Sequence, residues 1–198
     1  DAKWVAEDCA VLARSTKLLE RVALELSDSG FTPYLVQRKT EFESASVRCM
    51  YAALKLANAR HDREFLRRLC VAWDAFTGVV IEVKDVEALA VLNGGDFLRA
   101  WSSAANENCL SDELNEFLGR IQSDLVDRLN FIELIEWFWS QNCLSEPIEK
   151  EEIKTWQDLH GALMREHSPE NVKLHLYLQE IDLKYKAVDR MPGYIKCL

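Results

Sequence analysis

The residues best equipped for chemistry in this chain are cationic and aromatic rather than nucleophilic. Arg60, His61, Arg63, Arg67 and Arg68 form its densest basic cluster. Guanidinium groups grip phosphate oxygens, so such a cluster suits a nucleic-acid backbone. With Asp62 and Glu64 interleaved, it equally suits a solvated helix face laced with ion pairs. NFIELIEWFWSQN, residues 130–142, is the most aromatic piece, and Trp137, Phe138 and Trp139 together cover more than one helix face. An exposed tryptophan there would be a partner hot spot or a base-stacking platform; burial in a multi-helix core is the other reading. His160, His167 and His175 stand 7 and 8 residues apart without the Cys or carboxylate spacing that closes a metal site, and read as surface or cap histidines. Asn93-Gly94-Gly95-Asp96 holds a glycine pair, but no strand precedes it and no Gly-Lys-Ser/Thr follows. It reads as a helix break, with Asp96 capping the next helix. The sequence contains no nucleophile elbow, no His-Glu-x-x-His, no P-loop and no paired carboxylates in a catalytic setting, so by itself it should not hydrolyse ATP.

Composition bounds the rest. The chain has 198 residues, 48% of them hydrophobic, enough for one or two domains with a substantial core. Residues 1–76 hold 12 Lys/Arg against 11 Asp/Glu, a net of +1, whereas residues 77–198 hold 12 against 22, a net of −10. Affinity for nucleic acid grows with the phosphates neutralised by Lys and Arg, so any DNA contact belongs to the first third and the acidic remainder is a poor DNA binder. Six cysteines contain no Cys-x-x-Cys, and most fall on apolar helix faces, where a reduced thiol acts as a small hydrophobe. No signal peptide opens the sequence and no apolar run approaches the roughly 18 residues of a membrane span. The expectation is a soluble, cytoplasmic protein with no membrane partner. The opening, Asp1 to Asp8, reads as a cut made inside a domain.

The elements that must position these residues begin with Cys9 to Lys39. An apolar run, Cys9 to Ala13, leads into a helix with Leu18, Leu19, Val22 and Leu26 at one-turn spacing. Thr16 is placed to cap its first turn and Gly30 to end it. Thr32-Pro33 blocks continuation before a second apolar run, Tyr34 to Val36. Strand, helix, strand predicts a right-handed parallel unit. Two parallel strands do not survive alone, and the one late candidate to join them is Tyr194 to Leu198, after Met191-Pro192-Gly193. Between lie roughly 150 residues that read as almost wholly helical. The predicted fold class is therefore mainly α: a multi-helix inserted subdomain, residues 41–189, with a small parallel α/β flank formed by residues 1–40 and 190–198.

Within the helical part, Ser44 to Asn58 and a helix capped by Asp62 predict an antiparallel hairpin. Thr77 to Val83 is the only interior stretch with β character. Asp85 to Leu92 and Phe97 to Asn106 read as helices. Ser111 caps a longer one with Leu114, Phe117, Leu118, Ile121, Leu125 and Leu129 in register. Cys143 to Lys150 reads as a loop, Ile153 to His167 as a helix, and Ser168-Pro169-Glu170 as the start of one reaching Leu183.

The order of these pieces carries a resemblance. VLARSTKLLERVALELSDSGFTPYLV, then RKTEFES and VRCMYAALKLANARHD, resembles the part of UvrD/Rep-type DNA helicases that runs from the second RecA-like domain into its inserted helical subdomain. There the family has a strand ending Tyr-Arg-Ser/Thr-Asn, a helix, Gly-Ile-Pro-Tyr, a Gly-Gly-x-x-Phe turn and Glu-Ile-Lys-Asp. YLQEIDLKYKAVDRMPGYIKCL is similar to the segment that re-enters the RecA-like domain just before Thr-x-His-x-x-Lys-Gly. The likeness covers residues 9–70 and 176–198. In place of the family's duplex-gripping Arg-Gly-Ile-Gly turn, this chain has Thr77-Gly78-Val79-Val80.

The resemblance implies a parent ATP-dependent DNA helicase or translocase involved in DNA repair chemistry. Its ATP and Mg²⁺ would be bound by residues other than these, with no cofactor in this piece. It further implies single-stranded DNA contacts from Arg14 and Thr16 at the first strand's end and from Arg38, Lys39 and Phe42 in the following turn, with Phe42 stacking on a base or plugging the hairpin. Parallel-sheet geometry points the same way, since ligands gather at the carboxyl ends of strands. Thr16 stands where the family has Asn, Arg38-Lys39 replace its two glycines, and an ion pair is the alternative for Arg14. The other class of function is a non-enzymatic helical module that docks protein partners through an acidic, aromatic surface around Trp137 to Trp139.

Overall fold

The structure, a computed structural model, describes residues 5, 8–35, 42–108, 111–141, 147–167, 172–185 and 195–197. The chain divides into two compact units, one made of Asp1–Thr40 with Tyr185–Leu198 and the other of Glu41–Lys184.

In the first unit, strand β1 (Ala10–Val11), helix α1 (Thr16–Asp28), β2 (Pro33–Leu35) and β3 (Ile195–Cys197) build a three-stranded sheet in the order β1-β3-β2. Both pairings are parallel: Ala10 faces Lys196 and Val11 faces Cys197 on one side of β3, and Pro33, Tyr34 and Leu35 face Ile195, Lys196 and Cys197 on the other. The last strand is thus the middle one. The Ile195 amide donates to the Thr32 carbonyl at 2.9 Å, which starts the β2–β3 ladder one residue before Pro33, the residue that has no amide to give. Helix α1 packs Leu19 and Ala23 against Val11, Ala13 and Leu26. Its cap is Ser15, one residue before the Thr16 expected from the sequence. The Ser15 hydroxyl accepts from the Leu18 amide at 3.4 Å, and Thr16 becomes the first helical residue. At the other end Gly30 takes φ +82° while Phe31 donates to Leu26 and Gly30 to Ser27, each at 3.0 Å. That pair of reversed bonds is the usual exit from a helix, and the positive φ is why glycine stands there.

The second unit is helical throughout its described residues. Helices α2 (Ala45–Asn58) and α3 (Arg63–Thr77) pack as a hairpin. They are followed by α4 (Val83–Leu92), α5 (Phe97–Glu107), α6 (Asp112–Arg120), α7 (Phe131–Ser140), α8 (Pro147–Glu166) and α9 (Leu174–Tyr185). Caps fall where the sequence places them. Asp62 accepts from the amides of Glu64 and Phe65 at 2.8 and 3.1 Å, Asp96 from Arg99 at 3.0 Å, and Ser111 from Leu114 at 3.2 Å. The core runs through aromatic rings: Trp73 meets Trp101 edge-on at 5.4 Å, and Trp156 stacks on Phe42 at 5.4 Å. Helix α9 is tied to α2 by Asp182, which accepts from the Tyr51 hydroxyl at 2.7 Å and pairs with Lys55. Burial and the carboxylate together push the Tyr51 hydroxyl far above its ordinary range.

Three local expectations give way. Thr77 to Val83 is not a strand: Gly78 closes α3 at φ +73°, residues 79–82 cross without ladder partners, and α4 begins at Val83. Its branched residues find no neighbouring strand in a helical unit, so only Ile81 is buried while Val80 stays 64% exposed. The helix from Ser111 is not regular to its end, because Ile121–Asp127 winds as a π-helix. The wider turn shifts the apolar stripe, and Leu129, expected inside, ends at φ +57° and 46% exposed. Pro147, expected in a loop, opens α8, since its missing amide costs nothing at a first helical position. The Ser168-Pro169 start signal lies outside the described residues. Among those residues, no helix is long and apolar enough to cross a membrane.

Candidate functional site

Of the five residues to which the resemblance assigns DNA contact, Arg14 is exposed in the turn between β1 and α1, with Thr16 beginning the helix behind it. Because all three strands are parallel, β1, β2 and β3 end at one edge of the sheet, the edge from which this turn leaves. A helix N-terminus and a guanidinium share that edge, and both attract anions. Arg38 and Lys39 lie outside the described residues. Phe42 belongs to the helical unit, where it is 3% exposed, stacked on Trp156 and edge-on to Tyr51 at 5.0 Å. A ring so enclosed presents no face to a base, and packing is its role.

The basic cluster resolves into ion pairs. The Arg60 guanidinium donates to Asp96 at 2.7 Å and to the carbonyls of Leu125 and Val126 at 3.0 and 2.8 Å, tying the α2–α3 turn to the start of α5 and to the end of the π-helix. His61 Nδ1 contacts the Gly95 carbonyl at 2.8 Å. Arg63 pairs with Glu87, and Arg67 and Arg68 both pair with Glu64 at 2.8 and 3.0 Å. The two guanidiniums hold the Glu64 carboxyl down at about 2. Three carboxylates and three carbonyls therefore engage the groups that a phosphate backbone would need, and the ion-paired face is the arrangement adopted.

His160, expected at the surface, is 5% exposed inside an aromatic network. The Trp156 indole, which can only donate, gives its N–H to the Tyr177 oxygen at 2.8 Å. The Tyr177 hydroxyl is thereby left to donate to His160 Nδ1 at 3.0 Å, which assigns the imidazole proton to Nε2. Glu136 stands 3.6 Å from Nε2, near enough to attract but too far to bond. Burial drives the imidazole pKa below its ordinary 6.5, and the Glu136 charge only partly opposes this. A folded value below the unfolded one means that the unfolded chain binds the extra proton. Stability contributed here is present above 6.5 and is lost as pH falls below it. The urea midpoint of the wild type should drop between about pH 7.5 and pH 5.5, and His160→Gln, whose amide still accepts from Tyr177, should flatten that drop. Equal slopes in the two proteins would remove His160 as the cause.

Trp137 of the aromatic stretch lines a cavity. A cleft of about 300 Å³ lies between the end of α3 and the helices α6 and α7, lined by Phe76, Phe117, Trp137 and Phe138. Phe117 and Trp137 are 6.3 Å apart and within 25° of parallel, and Phe76 stands edge-on to Phe117 at 6.2 Å. Glu113 and Gln141 supply its polar groups. Phe117 and Phe138 are buried, Trp137 and Phe76 half-buried, Glu113 exposed. Neither Phe76 nor Glu113 stands out in the sequence, because the cleft is assembled from three helices distant along the chain.

Cysteine and metal chemistry find little footing. Burial raises the Cys70 thiol to about 12 and the Cys49 thiol higher still, so neither is a nucleophile near neutral pH. Among the described residues, no three His, Cys, Asp or Glu side chains gather as a metal set. The glycine pair Gly94-Gly95 turns α4 into α5 with positive φ at both residues, and a Cβ on Gly95 would meet the His61 ring at 3.3 Å. It packs helices and offers no phosphate cradle at this turn. Comparison with known proteins finds no matching family model, no matching curated protein and no matching solved structure.

Proposed function

We propose that this chain is a piece of an ATP-dependent DNA helicase or translocase of the UvrD/Rep type. It would contribute part of the second motor domain and the helical subdomain inserted into it. The observation that carries the reading is the sheet order: a strand from the end of the chain pairs between two strands from its start, so the helical unit interrupts an α/β layer. That is the arrangement the resemblance implies. In this reading ATP and Mg²⁺ belong to other parts of the parent protein, and this piece has no catalytic step of its own. Its contribution to DNA is the strand-end edge. Arg14 and the first turn of α1 meet the phosphates of a single strand there, with Arg38 and Lys39 following β2. The basic cluster on α3 and the ring of Phe42 are given to structure.

Fluorescence anisotropy with a labelled single strand tests this. Binding should weaken linearly in log[salt], and Arg14→Ala should lower affinity several-fold and reduce the salt slope by about one. A chain that ignores single-stranded DNA at roughly 50 mM salt, where phosphate contacts are strongest, would count against the helicase reading. The second reading, a non-enzymatic helical module that docks protein partners through an acidic, aromatic surface, is favoured by the half-buried Trp137 at a cleft that Glu113 also lines.

A further inference from the structure

We infer that the cleft between α3, α6 and α7 is a binding site for a quaternary ammonium group. The rings of Phe76, Phe117, Trp137 and Phe138 form its walls, and the carboxylate of Glu113 stands at its mouth. Aromatic faces carry negative quadrupole density, so several rings around one space favour a cation there over a neutral group of equal size. This molecule already uses the effect once at the same ring: the Arg120 guanidinium lies 5.6 Å from the centre of Trp137. Arg120 is in turn paired at 3.3 Å with Asp124, whose side chain is 5% exposed, so its charge is matched and the cleft keeps the charge of Glu113.

The kind of cation follows from the hydrogen-bond inventory. A lysine ammonium brings three N–H donors and a guanidinium five, each costly to bury without an acceptor. The inner walls are hydrocarbon: Phe117, Phe138 and the half-buried Leu114. The two polar side chains, Glu113 and Gln141, come from the exposed start of α6 and from the residue that follows α7. A quaternary ammonium has no donors to satisfy, sheds water cheaply and fills an aromatic space with methyl groups. Anions are disfavoured. A phosphate in the cleft would meet the Glu113 carboxylate, with Asp112 and Glu116 adding negative charge on the same exposed first turns of α6. The site is independent of the helicase reading, since no residue in it belongs to the DNA-contacting edge.

Choline and its neutral isostere 3,3-dimethylbutan-1-ol are the probes, with saturation-transfer NMR and titration as the readout. Choline should receive saturation from the protein and bind about tenfold more tightly than the isostere. Glu113→Gln, at an exposed position, should weaken choline several-fold and leave the isostere unchanged. Trp137→Leu keeps apolar bulk and should reduce choline to the level of the isostere. Phe76→Leu at the half-buried rim should do the same in part, and serves where Trp137→Leu fails to fold. A third probe, Nε-trimethyllysine, separates the sources: tighter binding than choline assigns the site to a modified protein side chain, weaker binding to a free amine. Equal affinity of choline and isostere overturns the inference. So does the absence of saturation transfer, or choline affinity indifferent to both Glu113→Gln and Phe76→Leu.

Discussion

Replacing Arg60 with methionine should lower the stability of the helical unit by about 3 kcal/mol, read as a fall in urea midpoint with unchanged slope. The side chain joins the start of α5 to the close of the π-helix. Its donors satisfy the carboxylate that caps α5 and two carbonyls at the close of the π-helix. A π turn leaves its last carbonyls without the partners that a regular helix would supply, and the next residues turn away through Leu129 at φ +57°. Methionine keeps much of the packed stem but takes the guanidinium from all three acceptors, leaving Asp96, only 16% exposed at its side chain, with the Arg99 amide. Arg60→Lys should recover part of the loss, because one ammonium cannot span the carboxylate and both carbonyls in the geometry of a planar fork. A loss below about 0.5 kcal/mol for the methionine variant would mean that water serves these groups as well as Arg60 does.

The second large effect belongs to the other unit. Ile195→Pro should abolish its sheet, because the substitution removes the amide that bonds Thr32 and introduces a ring into the central strand. Ile195 is 6% exposed, so its side chain is also lost from the sheet's packing. β1 and β2 share no ladder of their own; each depends on β3. Limited proteolysis is the direct measurement. Cleavage within residues 8–35 should accelerate by more than tenfold while residues 42–108 stay protected, since a proline in an interior ladder costs roughly 3 kcal/mol or more. Far-UV circular dichroism should move little because the helical unit dominates it. Unchanged protection of residues 8–35 would show that α1 and its strands hold without their middle partner.

The helical class, the parallel flank and most caps were legible because each rests on local chemistry. Asp62, Asp96 and Ser111 cap the helices they precede, Gly30 takes the positive φ that ends α1, and the apolar runs around Ala10, Tyr34 and Ile195 are the three strands. What escaped was set by distance. The branched residues of Thr77 to Val83 have the composition of a strand and lack only a neighbour, which composition does not report. The π-helix at Ile121–Asp127 follows a sequence with an ordinary helical stripe; its carbonyls find Arg60, 65 and 66 residues away. His160 is inside because Tyr177 and Trp156 come to meet it, and the cleft at Trp137 exists because Phe76 arrives from α3. For the strand-end edge proposed to contact DNA, sequence supplied Arg14 by position in a resemblance. Phe42 was carried over the same way, and packing against Trp156 and Tyr51 took it instead.

The placing of β3 between its two partners also dictates a timetable. Emerging from the ribosome, β1 and β2 share no ladder, and their common neighbour is synthesised only after the whole helical unit. The helices between can settle on near neighbours as they appear, so that unit matures first, while the sheet must wait for contacts that span it. Until β3 appears the two earlier strands expose open edges, the stretch on which a holding chaperone or a premature intermolecular pairing would act.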